Sequence, residues 1–290
     1  MDNKIAFVIL HYKIVEETIK CVESILRNYK DDRKSKKIII VVDNGSCDGT
    51  GENLSEKYNK NSNVIVIINK KNLGFSKGNN VGFKKAKEMG ANYIVMANSD
   101  IVFTQKEFCD LIIDRYKEYD YAVLGPKIIM PKNIKGTHNP VIRSVKQQRI
   151  YICILYARLI FARIHLESVF KWIIDRKYKK RKKTVDTENL KFGVSLYGCC
   201  MVFSKNYIQK FDGLDDRTYM FCEEELLYLR LKSNNMVEVY DPSLEVFHNH
   251  SSSIDAIYKT RHAKELFMAK NLIKSNKILL KELIKMEKKK

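Results

Sequence analysis

The sequence predicts an α/β protein built on an open, mainly parallel sheet with helices on its faces. Three observations carry this. Short apolar runs rich in Ile and Val recur through the first 130 residues, segments of helical period alternate with them, and polar turn-forming residues follow each run.

The expected strands are IAFVIL (5–10), IIIVV (38–42), VIVII (64–68), YIVMA (93–97) and AVLG (122–125). They are apolar on both faces, as strands covered on each side must be. Helical period appears between them at 15–29, 49–58, 77–89 and 106–119. In such a sheet, ligands bind beyond the carboxyl ends of the strands. The segments to search are therefore HYK, DNGSCDGT, NKKNLGFSKGNN and NSD.

The character changes between 137 and 183. Residues 150–174 are strongly apolar, but Arg158, Arg163, His165, Glu167 and Lys171 interrupt them, which argues against a bilayer span. On one continuous helix, Arg149, Arg163, Glu167, Lys171 and Asp175 would share a face, with Arg158 opposite. An amphipathic helix or helix pair followed by RKYKKRKK (176–183) suits docking on an anionic membrane surface. The competing reading is a hairpin packed on the protein's own core with a solvated basic loop.

Beyond residue 192 the α/β pattern returns. LYGCCMVFS (196–204) reads as a strand, 223–234 as a helix, and VEVYDPSLEVFHNH (237–250) as two extended pieces around Pro242. A Lys-rich amphipathic helix or pair follows from 256 to 290. The expected organisation is an α/β domain over 1–255, with halves at 1–130 and 192–255 around an insertion at 136–191, and a helical tail at 256–290.

The charge of +19 is the largest compositional departure, and it predicts attraction to anions. Nucleic acid is disfavoured, because the lysines are spread along the chain and no DNA or RNA motif accompanies them. The 7 cysteines have no zinc-like spacing, which fits a reducing compartment. MDNKIAFVILHY reads as a first strand and not as a signal peptide.

In VVDNGSCDGT, Asp43 and Asn44 end a strand, and Asp48 can cap the next helix; turn and cap would explain the segment without a ligand. In NLGFSKGNN, Gly74 and Gly78 allow close backbone approach to a phosphate or sugar, and Lys77 adds charge. There is no Walker sequence and no GxGxxG. NSD (98–100) is either a turn or, beside a pyrophosphate, a carboxylate site for Mg²⁺ or Mn²⁺. The three glutamates of CEEE either complement a helix dipole or include a general base. His248 and His250 point oppositely on an extended segment, so at most one enters a shared site.

Taken in order, FVILHY, VVDNGSCDGT, NLGFSKGNN, MANSD, YGCCMVFS, FDGLDDRTYMFCEEE and VFHNHSSS resemble the inverting family 2 glycosyltransferases of GT-A fold. Among these the chain is most similar to bacterial rhamnosyltransferase-like enzymes of capsule, O-antigen or exopolysaccharide synthesis. The likeness runs from Ile5 to Ser253 and is loosest over 136–191.

The resemblance implies a UDP- or dTDP-sugar donor, a lipid-linked or glycan acceptor, Mn²⁺ or Mg²⁺, and a place on the cytoplasmic face of the membrane. It implies donor contacts at His11, Asp43, Asn44, Gly74, Lys77, Asn80, Asn98 and Ser99. Asp100 falls on the metal carboxylate of the DxD motif, where Asn98 departs from the first Asp, and His248 on a histidine that completes the metal site in some relatives. The ED motif of the catalytic base falls on Glu223 and Glu224, with Glu224 as the base in place of the commoner Asp. Two further readings compete: a degenerate transferase domain acting as a membrane scaffold, and a sugar nucleotidyltransferase. The latter wants a Gly-rich start where this chain has HYK.

Overall fold

Strands β1 (Asn3–His11), β2 (Ser35–Asp43), β3 (Val64–Ile68) and β4 (Tyr93–Asn98) pair in parallel in the order β3-β2-β1-β4. The protein is seen here in a computed structural model that describes residues 3–31, 35–131, 135–136, 142–178, 187–249, 258 and 260–288. Side chains alternate across β1. Ile5, Phe7 and Ile9 meet Cys21, Val22 and Ile25 of α1 (Val15–Asn28) on one face, while Ala6 and Val8 meet Phe83 and Ala86 of α3 (Phe75–Glu88) on the other. Both faces are dry, which is why the strands read as unbroken apolar runs. Helix α3 lies close because residue 82 is Gly: a Cβ there would stand 2.4 Å from Val8 Cγ1.

Helix α2 (Thr50–Tyr58) joins β2 to β3. After β4, the short β5 (Ile101–Val102) leads to α4 (Phe108–Tyr119) and β6 (Val123–Ile129). Phe7, Tyr29, Phe103 and Phe108 form a ring cluster beneath this region, with centroids 5.3–6.2 Å apart. Each such pair contributes about 0.5–1.5 kcal/mol beyond its area.

Next come β7 (Lys135–Gly136), α5 (Val145–Arg163), α6 (Glu167–Tyr178) and β8 (Lys191–Phe192). The chain then returns to the same sheet through β9 (Cys200–Ser204), antiparallel between β4 and β6, followed by α7 (Lys205–Lys210) and α8 (Glu223–Ser233). Strand β10 (Glu238–His248) runs parallel to β6 and antiparallel to β5, and α9 (Arg261–Glu287) closes the described chain.

Several expectations shift. The two pieces around Pro242 are one strand, whose register slips between Asp241 and Glu245; Pro is tolerated at such a bulge because no ladder donor is needed there. The strand over 196–204 is confined to Cys200–Ser204. Helix α3 starts at Phe75 because Gly74, at φ 84, turns the chain and the Phe75 N–H donates to Tyr219 O at 2.8 Å.

The single charged face drawn over 149–175 does not persist, because the helix breaks at His165 (φ 58) into α5 and α6. Arg158 turns inward, its Nη2 donating to Glu265 of α9 at 2.6 Å, and Leu155 and Leu159 pack on Ala269 and Ile273. The expected tail is thus one helix that clasps the insertion. Of the basic run, 179–183 lie outside the described residues, as do His250 and the boundary at 255/256. Among the described residues no helix is long and apolar enough to cross a membrane.

Candidate active site

The parallel register aligns the ends of three strands: His11 lies beside Asp43, and Leu10 beside Asn98. At this edge a cavity of about 470 Å³ opens, lined by Asn98, Gly198, Glu223, Glu224, Glu225 and His248 among others. Pairing of β5 with β10 sets His248 across from Ile101, and His248 Nε2 lies 3.1 Å from Asp100 Oδ2 although the two are 148 residues apart. Both are buried, and the Asn249 N–H donates to Asp100 O at 3.0 Å. Adjacent ligands on an octahedral cation with bonds of about 2.1 Å stand about 3 Å apart. The Asp100–His248 pair has that spacing, which is also hydrogen-bond distance; its carboxylate is the kind of donor that Mn²⁺ or Mg²⁺ takes, while its imidazole is a ligand preferred by softer divalent ions.

Opposite strand logic places the glutamates. Phe221 (φ 74) and Cys222 (φ 67) both adopt left-handed backbone just before α8, a strained geometry for non-glycine residues. It is held from both sides: Tyr219 O accepts from Phe75 of α3, and Met220 O accepts from Ser275 Oγ of α9 at 2.7 Å. Helix α8 then starts with Glu223 and Glu224 in the cavity wall. Glu223 is buried and lies 3.4 Å from the Thr218 hydroxyl. Burial, followed by the neighbouring Glu224, pushes its carboxyl up to about 8.

Glu224 is half-buried, and its Oε1 accepts the Gly198 N–H at 3.2 Å. Burial, then Glu225, raises it to about 7. A carboxyl poised near neutrality can both hold and release a proton at working pH. Residue 198 must be small here, since a Cβ would stand 2.4 Å from Glu224 Oε1.

Not all expected donor contacts reach this cavity. Asn98 lines it, and Ser99 is buried beside it in sequence. Asp43 is buried and accepts from the Ser46 hydroxyl at 2.5 Å, shaping the turn after β2. His11 is fully buried, with Nδ1 2.7 Å from Thr18 Oγ1 and Nε2 3.0 Å from Thr50 Oγ1; burial lowers its pKa. Asn44 donates to Gly74 O at 3.0 Å and accepts from Leu73 N at 3.1 Å, so its amide braces the loop after β3.

Gly74 approaches protein backbone: a Cβ there would lie 2.3 Å from Tyr219 O. Asn80 exchanges hydrogen bonds with the Leu214 backbone at 2.7 and 2.9 Å, pinning the loop that leads to Glu223. Lys77 is exposed on α3. Apart from exposed Lys77, the groups from His11 to Asn80 are engaged within the loops at the strand ends, outside the lining of the 470 Å³ cavity.

Gly198, Thr218, Arg143 and Tyr151 were not singled out in the sequence as site residues. For Gly198 the signal was a glycine entering a strand, which marks a close approach. Among the described residues, the group of three metal-type side chains is elsewhere: His165, Glu167 and His262 tie the α5–α6 corner to α9.

The sheet order, with helices on both faces and a cavity at the strand ends, is that of a GT-A-like α/β fold. Residues 7–192 match the family Glycosyl transferase family 2, and the chain belongs to that family as a glycosyltransferase. The matched span stops short of Glu223.

The chain is 25% identical over 243 residues to N-acetylglucosaminyl-diphospho-decaprenol L-rhamnosyltransferase of Mycobacterium tuberculosis, covering 79% of this chain and 73% of that one. It is 32% identical over 151 residues to UDP-N-acetylglucosamine--dolichyl-phosphate N-acetylglucosaminyltransferase of Methanococcus voltae, covering 47% and 57%. Among solved structures it is similar to S. aureus TarS 1-349 in complex with UDP-GlcNAc, with TM-score 0.53 and 13% identity. That likeness covers 93% of this chain but 65% of the other, and it bears on the GT-A fold.

Proposed function

We propose that this glycosyltransferase moves a sugar from a UDP- or dTDP-sugar to a hydroxyl of a lipid-linked or glycan acceptor, with inversion, in bacterial surface-polysaccharide synthesis. The observation that carries the reading is one cavity lined by a near-neutral carboxyl, Glu224, and by His248, whose Nε2 lies 3.1 Å from Asp100 Oδ2 behind it. In this reading residues 1–130 hold the donor and 192–255 present the base.

Glu224, steadied by Gly198 N–H, takes the proton of the acceptor hydroxyl. The oxygen bonds to the anomeric carbon while the bond from that carbon to the diphosphate oxygen breaks, its electron pair leaving with the nucleotide. Glu223, its carboxyl raised to about 8, is mostly protonated at neutral pH and limits the negative charge beside the base. Asp100 and His248 would hold a divalent cation, which would neutralise charge on the departing diphosphate. His11, Asp43, Asn44, Gly74 and Asn80 keep the strand-end loops in shape around the donor, with Asn98, Ser99 and exposed Lys77 nearest to polar contact with it. The longer arm of Glu224, compared with Asp, fits because residue 198 has no side chain.

A lipid-linked acceptor is supported by the two relatives, whose names specify diphospho-decaprenol and dolichyl-phosphate. Attachment to an anionic membrane surface on its cytoplasmic face is supported by the insertion. Ile160 and Trp172 are 56% and 60% exposed there, and Arg176 stands 5.5 Å from the Trp172 ring.

The test is turnover of a panel of UDP-, dTDP- and GDP-sugars with Mn²⁺ or Mg²⁺, in wild type, Asp100→Ala and Glu224→Gln. Turnover of at least one donor by the wild type and its loss in both variants is expected. A wild type that turns over none of them overturns the donor assignment. Full activity of Glu224→Gln with a dead Glu223→Gln would transfer the base role to Glu223.

A further inference from the structure

We infer that a groove between α5 and α6 binds the acceptor's isoprenoid phosphate, with Arg143 at the neck taking the phosphate and the groove taking the chain. This rests on the transferase reading above and assigns its acceptor to particular residues.

The groove has a volume of about 630 Å³, within the range of cavities that enclose small ligands, about 300–1,000 Å³. Its walls include Ile154 and Leu155 of α5 and Phe170 and Ile174 of α6. It adjoins the catalytic cavity, since Arg143 and Tyr151 line both. The order along the path is therefore carboxyl group, cation, apolar walls. A molecule with a sugar hydroxyl, an anionic phosphate and a hydrocarbon chain in that order matches it group by group.

Arg143 is suited to the middle position. Its guanidinium carbon lies 3.9 Å from the Tyr151 ring centroid, so the plane is supported by an aromatic face. A guanidinium fork binds phosphate oxygens in pairs. Glu225 also feels Arg143, which lowers a carboxyl that burial raises. Arg158, the other charged residue of the lining, is already paired with Glu265 and so offers little to a second anion.

Helix α5 covers α9 with Leu155, Leu159 and their neighbours, but Ile150, another lining residue, remains 54% exposed. Ile150 and exposed Trp172 lie on the α5–α6 hairpin proposed to meet the membrane. A chain leaving the bilayer there would enter apolar surroundings without crossing water.

Farnesyl diphosphate, inorganic diphosphate and farnesol serve as probes, titrated into the full chain by calorimetry with saturating UDP present. Wild type should bind farnesyl diphosphate at least tenfold more tightly than either fragment. Arg143→Gln should weaken it at least tenfold, towards farnesol. Ile154→Glu should weaken it at least tenfold, towards inorganic diphosphate, and Ile174→Glu gives the same test from the opposite wall.

UDP affinity within twofold of wild type in each variant shows that the fold and donor side are intact. Farnesyl diphosphate that binds no better than diphosphate, that is displaced by UDP, or that ignores all three substitutions overturns the proposal. Donor turnover by the same wild-type sample keeps its failure separate from that of the transferase reading.

Discussion

The Gly198 N–H donates to Glu224 Oε1 at 3.2 Å, and a Cβ on residue 198 would stand 2.4 Å from that same oxygen. One backbone position thus both orients the carboxylate and makes room for it. Gly198→Ala should push the carboxylate aside, and a displacement of about 1 Å lowers turnover roughly 100-fold. Steady-state kinetics should show the loss in kcat, with UDP affinity unchanged within twofold. An undiminished kcat would remove Gly198 from the catalytic geometry.

Glu224 titrates near 7, raised by burial and then by Glu225. The base form is the carboxylate, so kcat should rise with pH through an apparent pKa of about 7 and level off above it. Glu224→Gln should abolish that limb and lower kcat by about 10²–10⁴-fold. A pH–rate profile from 5.5 to 8.5 in wild type and variant checks both.

Asp100 and His248 act as neighbours at 3.1 Å. Asp100→Asn or His248→Ala should lower Mn²⁺ affinity by at least about tenfold, since even the outer partners of metal ligands matter by 10–100-fold. Electron paramagnetic resonance of free Mn²⁺ during titration measures this directly. Unaltered Mn²⁺ binding in both variants would place the metal elsewhere.

Glu238, buried at the start of β10, has its carboxyl pushed up from 4.5 to about 8 by burial. The folded state therefore keeps a proton that the unfolded chain releases. Its stabilising contribution is complete below 4.5 and is lost as pH rises to about 8. Glu238→Gln should flatten the decline of Tm across this window; Glu223 and Glu224 contribute slopes of the same sign. Scanning calorimetry at pH 5, 6.5 and 8 distinguishes the two proteins.

Ile160 and Trp172 are more than half exposed on the α5–α6 hairpin. Ile160→Glu with Trp172→Glu should reduce co-sedimentation with phosphatidylserine vesicles several-fold, and added salt should weaken the wild type because basic residues contribute about 1 kcal/mol each near an anionic surface. Vesicle binding that ignores both the substitutions and salt would detach the hairpin from this role.

The sequence alone determined the alternation of strand and helix, because strands dry on both faces leave unbroken Ile and Val runs such as IAFVIL and VIVII. It also marked the strand-end segments, since Asn, Asp and Gly cluster where regular pairing stops. Tertiary structure decided which of those residues share a cavity. His248 meets Asp100 through the β5–β10 register, and Glu224 meets Gly198, in the segment before β9, across the turn that the left-handed Phe221 and Cys222 make into α8.

Tertiary contacts also showed that His11, Asn44, Gly74 and Asn80 brace the strand-end loops, which their positions in sequence do not reveal. They also made Arg143 a neighbour of both cavities, although nothing around it in sequence distinguishes it. Local pattern reports burial and turns because these depend on near neighbours along the chain. A site made from residues some 150 positions apart depends on register and packing, which only the folded sheet supplies.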